Sequence, residues 1–239
     1  MILLGIIGGY FLIIKRSKKY NISSEHIDNL AIITVPLAIV GARLYHVVSE
    51  WNYYKDNLNQ IISYQMNGLG IFGAIIVGII VFYLYSKKHS IPILRLLDLG
   101  SLGLLLGQTL GRFGNYFNNE LYGYPTKLPW KVFIPYENRM EGYLKYEYYH
   151  PTFFYESIWN LVGLLIALYY ERKKEKINSG TIFSFYLMWY GIGRFLIGFL
   201  RIEPVDFLIF NDGQILSIIF VVLGFGLLMN SRKNIKNEA

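Results

Sequence analysis

Stretches of apolar residues long enough to cross a lipid bilayer recur along this chain, and they restrict its fold more than any other feature. A membrane-spanning helix needs about 20 predominantly apolar residues. Its backbone must satisfy its own hydrogen bonds there, which is why such segments fold as helices. The stretches lie at about 30–50, 68–86, 92–113, 152–170, 181–200 and 214–230, and a shorter run opens the chain from Met1 to about Ile14. They predict an all-α polytopic membrane protein of about seven transmembrane helices, with residues 1–239 forming a single transmembrane domain. The opening run would reach only about 21 Å at ~1.5 Å per residue, which is thin for a span unless the chain begins further upstream. No basic residue precedes this run and no small-residue cleavage site follows it, so it reads as a retained helix rather than a cleaved leader.

Only 16% of the residues are charged, yet 23 Lys and Arg face 16 Asp and Glu, a formal charge of +7. That combination suits either a nucleic-acid binder or a membrane protein, and the positions of the basic residues decide between them. Lys15, Arg16, Lys18, Lys19, Lys87, Lys88, Arg95, Arg172, Lys173, Lys174, Lys176, Arg232, Lys233 and Lys236 hold 14 of the 23. They fall in every second connection and in the C-terminal tail, not on one soluble face, so no nucleic acid is expected as a partner. The positive-inside rule then places the N-terminus outside and the C-terminus in the cytoplasm of a multi-pass membrane protein. The chain has no cysteine. That excludes a disulfide scaffold, a zinc–thiolate site, an iron–sulfur centre and a thiol nucleophile of its own. Neither a metal nor a cofactor is expected.

The outer connections differ from the basic ones. The segment from about Trp51 to Asn67 is rich in Tyr, Asn and Gln. Residues 116–150, between the fourth and fifth helices, carry Lys127, Lys131, Arg139 and Lys145 against Glu120, Glu137, Glu141 and Glu147. A connection this long usually has a function or a structure of its own. Its runs Pro129–Ile134 and Tyr143–Tyr149 predict a small outward-facing head with two short strands.

Ionisable residues inside membrane helices are costly, about 2.5–3.5 kcal/mol each at the centre, and so mark functional sites. Here their spacing is helical. Arg43, His46 and Glu50 fall on one face of the second helix. Gln108, Arg112, Asn115 and Asn119 form a stripe on the fourth, and Tyr186, Tyr190, Arg194 and Arg201 one on the sixth. Glu156 and Asn160 are one turn apart on the fifth. With the topology above, these stripes collect in the outer half of the membrane. Arginine pairs naturally with phosphate through its planar fork, so the expected ligand is an anionic phospholipid headgroup reached from the outer leaflet. The simpler readings are structural. Arg43 with Glu50, or Arg194 with a carboxylate, would be helix-to-helix ion pairs. His46 would be a helix-to-helix hydrogen bonder, and the glycines of 68-GLGIFGAIIVG-78 would permit close helix packing.

The stretch 111-GRFGNYFNNELYG-123 resembles the signature of prolipoprotein diacylglyceryl transferases. The likeness extends through 41-GARLYHV-47, 68-GLGIFGA-74, Asp98 with 107-GQTLGR-112, 129-PW-130, 150-HPTFFYE-156 and 190-YGIGRF-195 followed by Arg201. It covers nearly all of the chain after about residue 28, in the family's order. It implies an enzyme that moves the diacylglyceryl group of phosphatidylglycerol onto the lipobox cysteine thiol of a prolipoprotein, forming a thioether and releasing glycerol phosphate. The missing cysteine becomes a constraint: the sulfur must arrive with the substrate.

By motif position, the resemblance implies Arg112, Arg194, Asn115 and Glu120 as the catalytic set. Arg112 and Arg194 would hold the phosphate, Asn115 would orient hydroxyls or Arg112, and Glu120 would position an arginine or a headgroup hydroxyl. Arg201, Gly123, Arg43, His46, His150, Tyr155, Glu156, Gly70 and Gly73 would contribute to substrate binding. A cationic site lowers a thiol's pKa, so a dedicated base is not required, although His46 or His150 would serve. The chain departs from the family's usual pattern at Phe72, where His or Tyr is common. It departs again at Gly198, where a Glu commonly follows the arginine of YGxxRF; Glu203, just beyond the helix, is the expected compensation. The first helix also lacks the family's Tyr-Gly near its outer end. These departures leave one alternative, a catalytically impaired homologue that binds anionic lipid or lipoprotein precursors; a transporter of an anionic solute is a separate one, for which paired, broken repeats would be expected and none is found.

Overall fold

The computed structural model describes residues 1–62, 68–203 and 210–238, with side chains described through Ser231. Part of the Trp51–Asn67 connection and the three basic residues of the C-terminal tail therefore lie outside the described residues or side chains. Seven long helices stand where the apolar stretches predict them: α1 (Ile2–Ser17), α2 (Ser24–Ser49), α3 (Ile71–His89), α4 (Ile93–Phe117), α5 (Thr152–Lys173), α6 (Thr181–Gly198) and α7 (Asp212–Glu238). Five of them, α2, α3, α4, α5 and α7, are long and apolar enough to cross a membrane. The 16 residues of α1 are too few, and α6 dilutes its apolar residues with Ser184, two tyrosines and Arg194. The chain folds as two compact units, Met1–Arg16 with Leu97–Ala239, and Ser17–Leu96.

In the larger unit, buried polar groups fix the helices at both ends. Asp98 on α4 is fully buried and accepts hydrogen bonds from the backbone N–H of Gly180 (2.7 Å) and Phe183 (2.8 Å). It thus caps α6 from a neighbouring helix, satisfying donors that the first turn of a helix leaves free. Arg16 at the end of α1 donates to the buried carboxylate of Glu171 on α5, Nε to Oε2 at 2.8 Å. Asn211 and Gln214 bond each other's backbone N–H reciprocally, at 2.9 and 3.1 Å, and start α7.

Helices α5 and α6 share a reciprocal contact. Trp159 Nε1 donates to the Trp189 carbonyl at 2.8 Å, and Trp189 Nε1 donates to the Trp159 carbonyl at 2.9 Å. The two indoles stack with ring centroids 4.5 Å apart. Each lies against a glycine of the facing helix, Trp159 on Gly193 and Trp189 on Gly163, where any Cβ would overlap the ring.

The predicted head is a small body with a tyrosine core. Strands β1 (Val132–Phe133) and β2 (Tyr148–Tyr149) pair antiparallel within the two predicted runs. Tyr122, Ile134 and Tyr149 are buried, and Val132, Tyr143 and Ile202 pack around them. Both buried hydroxyls have partners: Tyr122 donates to the Asn138 carbonyl and Tyr149 to that of Tyr143, each at 2.7 Å. Burial raises the pKa of both phenols, so they remain neutral donors.

In the Ser17–Leu96 unit, α2 and α3 cross at Gly41 and Gly73. A Cβ on either would run into the other's carbonyl oxygen, so glycine sets this approach.

Candidate active site

The polar residues of α4, α5 and α6 meet in one ion-pair network. Glu156, buried on α5, is shared by two arginines. Arg112 Nη2 lies 2.6 Å from its Oε2, and Arg201 Nη1 donates to its Oε1 at 3.0 Å. Glu203 is shared in the same way. It accepts from Arg194 Nη2 at 2.8 and 3.0 Å, and its Oε1 lies 2.8 Å from Arg201 Nε. Three guanidinium groups thus face two carboxylates, with one positive charge in excess. Arg194 Nη1 is buried and has no hydrogen-bond partner among the described residues, an unusual state for a buried donor. Burial and the neighbouring Arg194 lower the Arg201 pKa, against the pull of Glu156 and Glu203. A cavity of about 10 Å³ lies among Glu156, Asn160, Tyr190 and Arg194, room for about one water. Below it, Gln108 Nε2 donates to the Tyr186 hydroxyl at 2.9 Å.

The stripes of the sequence are shorter than their spacing suggests, because two helices end inside them. α4 stops at Phe117, so Asn119 is not on its face. Asn119 and Leu121 instead take left-handed backbone angles, φ +53° each, strained for a leucine. This turn brings Glu120 back toward the helix, where its Oε1 accepts from Asn115 Nδ2 at 2.9 Å and Asn118 Nδ2 at 3.1 Å. Asn115 Oδ1 in turn lies 3.5 Å from Arg112 Nη1. Arg112, Asn115 and Glu120 therefore form a chain from the buried network to an exposed carboxylate. α6 likewise ends at Gly198, and Arg201 follows it in a bridge to Gly123.

Gly123 sits where three segments converge. Its N–H donates to the His150 carbonyl at 2.9 Å, and a Cβ would strike the Leu200 carbonyl oxygen and the His150 and Thr152 side chains. The same joint carries His150, whose Nδ1 is 3.2 Å from the Tyr155 hydroxyl. Trp130 Nε1 donates to that hydroxyl at 2.8 Å. Burial lowers the pKa of His150 below the ordinary imidazole value.

Arg43, His46, Gly70 and Gly73 belong to the Ser17–Leu96 unit. Arg43 is buried and donates to the carbonyls of Gln60 (2.6 Å), Ile61 (3.0 Å) and Gly68 (3.2 Å), with its guanidinium over the Tyr54 ring. No ion pair joins it to Glu50 among the described residues. His46 packs edge-on to Tyr54 and against Gly68, which has φ +92°. Gly70 N–H donates to the Ala42 carbonyl at 2.9 Å, and its Cα lies against Tyr45. Together with Gly73, these residues form the seam between α2 and α3 and the loop leading into α3.

A model of the prolipoprotein diacylglyceryl transferase family matches residues 1–230 of the chain. The chain belongs to this family. The phosphatidylglycerol–prolipoprotein diacylglyceryl transferase of Streptococcus uberis is 36% identical over 237 residues, covering 98% of this chain and 90% of that protein. The enzyme of the same name from Gloeobacter violaceus is 37% identical over 241 residues, covering 100% and 90%. That of Synechocystis is 41% identical over 211 residues, covering 87% and 75%.

Gly198, one of the expected departures from the family's pattern, faces α7. A Cβ on Gly198 would lie 2.7 Å from Gln214 Cγ, so a longer side chain there would have to displace the buried Gln214 side chain. Glu203 supplies the carboxylate to Arg194 instead, as the sequence suggested. The double role of Glu203, on Arg194 and Arg201 together, and the indole pair were not foreseen. The one sequence signal of the indole pair is that Gly163 and Gly193 each lie four residues beyond a tryptophan.

Proposed function

We propose that the protein transfers the diacylglyceryl group of phosphatidylglycerol to the lipobox cysteine thiol of prolipoproteins, forming a thioether and releasing glycerol phosphate. Family membership supports the activity, and one observation carries its placement: three arginines, Arg201 buried and Arg112 and Arg194 half-buried, share two carboxylates, and Arg194 Nη1 is a buried donor with no hydrogen-bond partner among the described residues. The single excess positive charge complements the single negative charge of a phosphodiester.

In this reading Arg112 and Arg194 contact the phosphate. The cavity beside them is far smaller than a headgroup, so the phosphate takes the place of the Glu203 carboxylate on Arg194. Arg201 holds Glu156 in place from behind and keeps a second contact for Glu203 once it leaves Arg194. Asn115, held between Arg112 and Glu120, orients the headgroup, with Glu120 facing the glycerol hydroxyls. Gly123 keeps the joint between head and helices closed. Sulfur attacks an sp³ glyceryl carbon, the carbon–oxygen bond to phosphate breaks, and the leaving glycerol phosphate gains negative charge. Donors placed for that charge stabilise the transition state more than the ground state. Arg194 Nη1, which has no hydrogen-bond partner among the described residues, is suited to this.

All seven long helices span the bacterial cytoplasmic membrane in this reading, α6 covering its arginine with neighbouring helices. The N-terminus and the 116–150 head face outward, and the site opens to the outer leaflet. Purified protein, phosphatidylglycerol and a lipobox peptide should yield a peptide heavier by one diacylglyceryl group at cysteine. Folded protein that binds the lipid yet gives no product would instead support the impaired homologue.

A further inference from the structure

Beside the arginine network, on the other side of residues 155–156 and 200–201, lies an apolar groove of about 430 Å³. Leu128 and Trp130 of the head form one wall, and Phe154, Ile158 and Leu200 the other. Among the described residues its only ionisable groups are His150 and Tyr155. Two chain neighbours tie it to the network: Tyr155 precedes Glu156, and Leu200 precedes Arg201. The bridge between Gly123 and Arg201 and the bond from Gly123 N–H to the His150 carbonyl join the two sides a third time.

The hydrogen bonds around Tyr155 orient the histidine. An indole N–H only donates, so Trp130 occupies one lone pair of the Tyr155 oxygen. His150 Nδ1 stands at the same oxygen. With the proton on Nδ1, both rings donate to the hydroxyl oxygen and the Nε2 lone pair is left over. Nε2 has no hydrogen-bond partner among the described residues. His150 is also the only one of the four histidines in the unit that holds the network. The other three are each packed against a tyrosine in the Ser17–Leu96 unit.

We propose that the substrate cysteine enters this groove and that His150 is the catalytic residue that takes its thiol proton, with Tyr155 and Trp130 as positioning residues. This rests on the transferase reading above. The S–H bond breaks and its proton passes to Nε2. The sulfur lone pair forms the S–C bond to the glyceryl carbon as the C–O bond to phosphate breaks, that electron pair leaving on the phosphate oxygen. The imidazolium then returns the proton to the departing glycerol phosphate, restoring neutral histidine. Burial favours the neutral imidazole, the form required at neutral pH.

The test compares two lipobox peptides, one with cysteine and one with selenocysteine, whose selenol is already ionised at neutral pH and needs no base. Wild-type protein with phosphatidylglycerol should modify both, and failure with both would count against the transferase reading itself. His150→Gln should slow the cysteine peptide by about 10²–10⁴-fold, the usual contribution of a positioned base, while the selenocysteine peptide keeps its rate. Tyr155→Phe keeps the ring and removes only the orienting hydroxyl; it should show the same selectivity in milder form. Equal losses with both peptides, or no loss with cysteine in either variant, overturns the proposal.

Discussion

Arg43 and Arg112 are both membrane-helix arginines with carefully arranged partners, yet their partners differ in kind. Arg43 gives its donors to three main-chain carbonyls and lays its plane over Tyr54. Those acceptors belong to the main chain. Arg112, Arg194 and Arg201 give theirs to the side chains of Glu156 and Glu203. A side-chain carboxylate can rotate away, and a phosphate oxygen matches it in charge and geometry. An arginine on carbonyls holds structure; an arginine on exchangeable carboxylates is available for chemistry.

Substitutions can break or sharpen this contrast. The largest effect is expected at Glu156, which compensates two arginines at once. Glu156→Gln should cost about 3–5 kcal/mol of stability, as for other buried pairs that lose one partner, seen as a lower melting temperature in detergent. An unchanged melting temperature would mean that Arg112 and Arg201 find other partners. Arg112→Ala should reduce kcat by about 10²–10³-fold, roughly 2.7–4 kcal/mol of barrier, with the protein still folded; retained turnover would remove Arg112 from the phosphate. Arg43→Lys should show the opposite pattern. Lysine cannot reach three carbonyls, and losing charged hydrogen bonds costs about 1.5–3 kcal/mol each. Hydrogen exchange at Ile61 and Ile62 should therefore accelerate more than turnover falls, and a turnover defect as large as that of Arg112→Ala would erase the distinction. The smallest effect concerns pH. His150 has a lowered pKa, so the acid limb of kcat/KM should fall below the ordinary imidazole value of about 6.5 and vanish in His150→Gln.

Much of the helical layout was legible because lipid imposes it. Seven apolar stretches became seven long helices, and the two β-rich runs of the 116–150 segment became the paired strands. The candidate site was legible residue by residue but not in its wiring. A helical repeat continues on paper beyond the point where a helix stops, so Asn119 and Arg201 were placed on faces that end at Phe117 and Gly198. The partner of Arg194 could be guessed as Glu203 from proximity in sequence. That Glu156 would join Arg112 to Arg201 requires three segments to converge, and no local pattern encodes that. Asp98 is similar: an acidic residue in a membrane helix suggests chemistry, whereas its oxygens are spent on the first turn of α6.

The crossed indoles of Trp159 and Trp189 bear on how the site opens. Each tryptophan is hydrogen-bonded to the other's carbonyl and lies against a glycine of the opposite helix. Prising α5 from α6 would break both bonds and the stack together, and it would do so within one turn of both Glu156 and Arg194. The pair acts as a rivet at the floor of the site. If phosphate binds as proposed, its entry calls for side-chain exchange at Arg194 and Glu203, with the two helices that carry the charges held together by the indole pair.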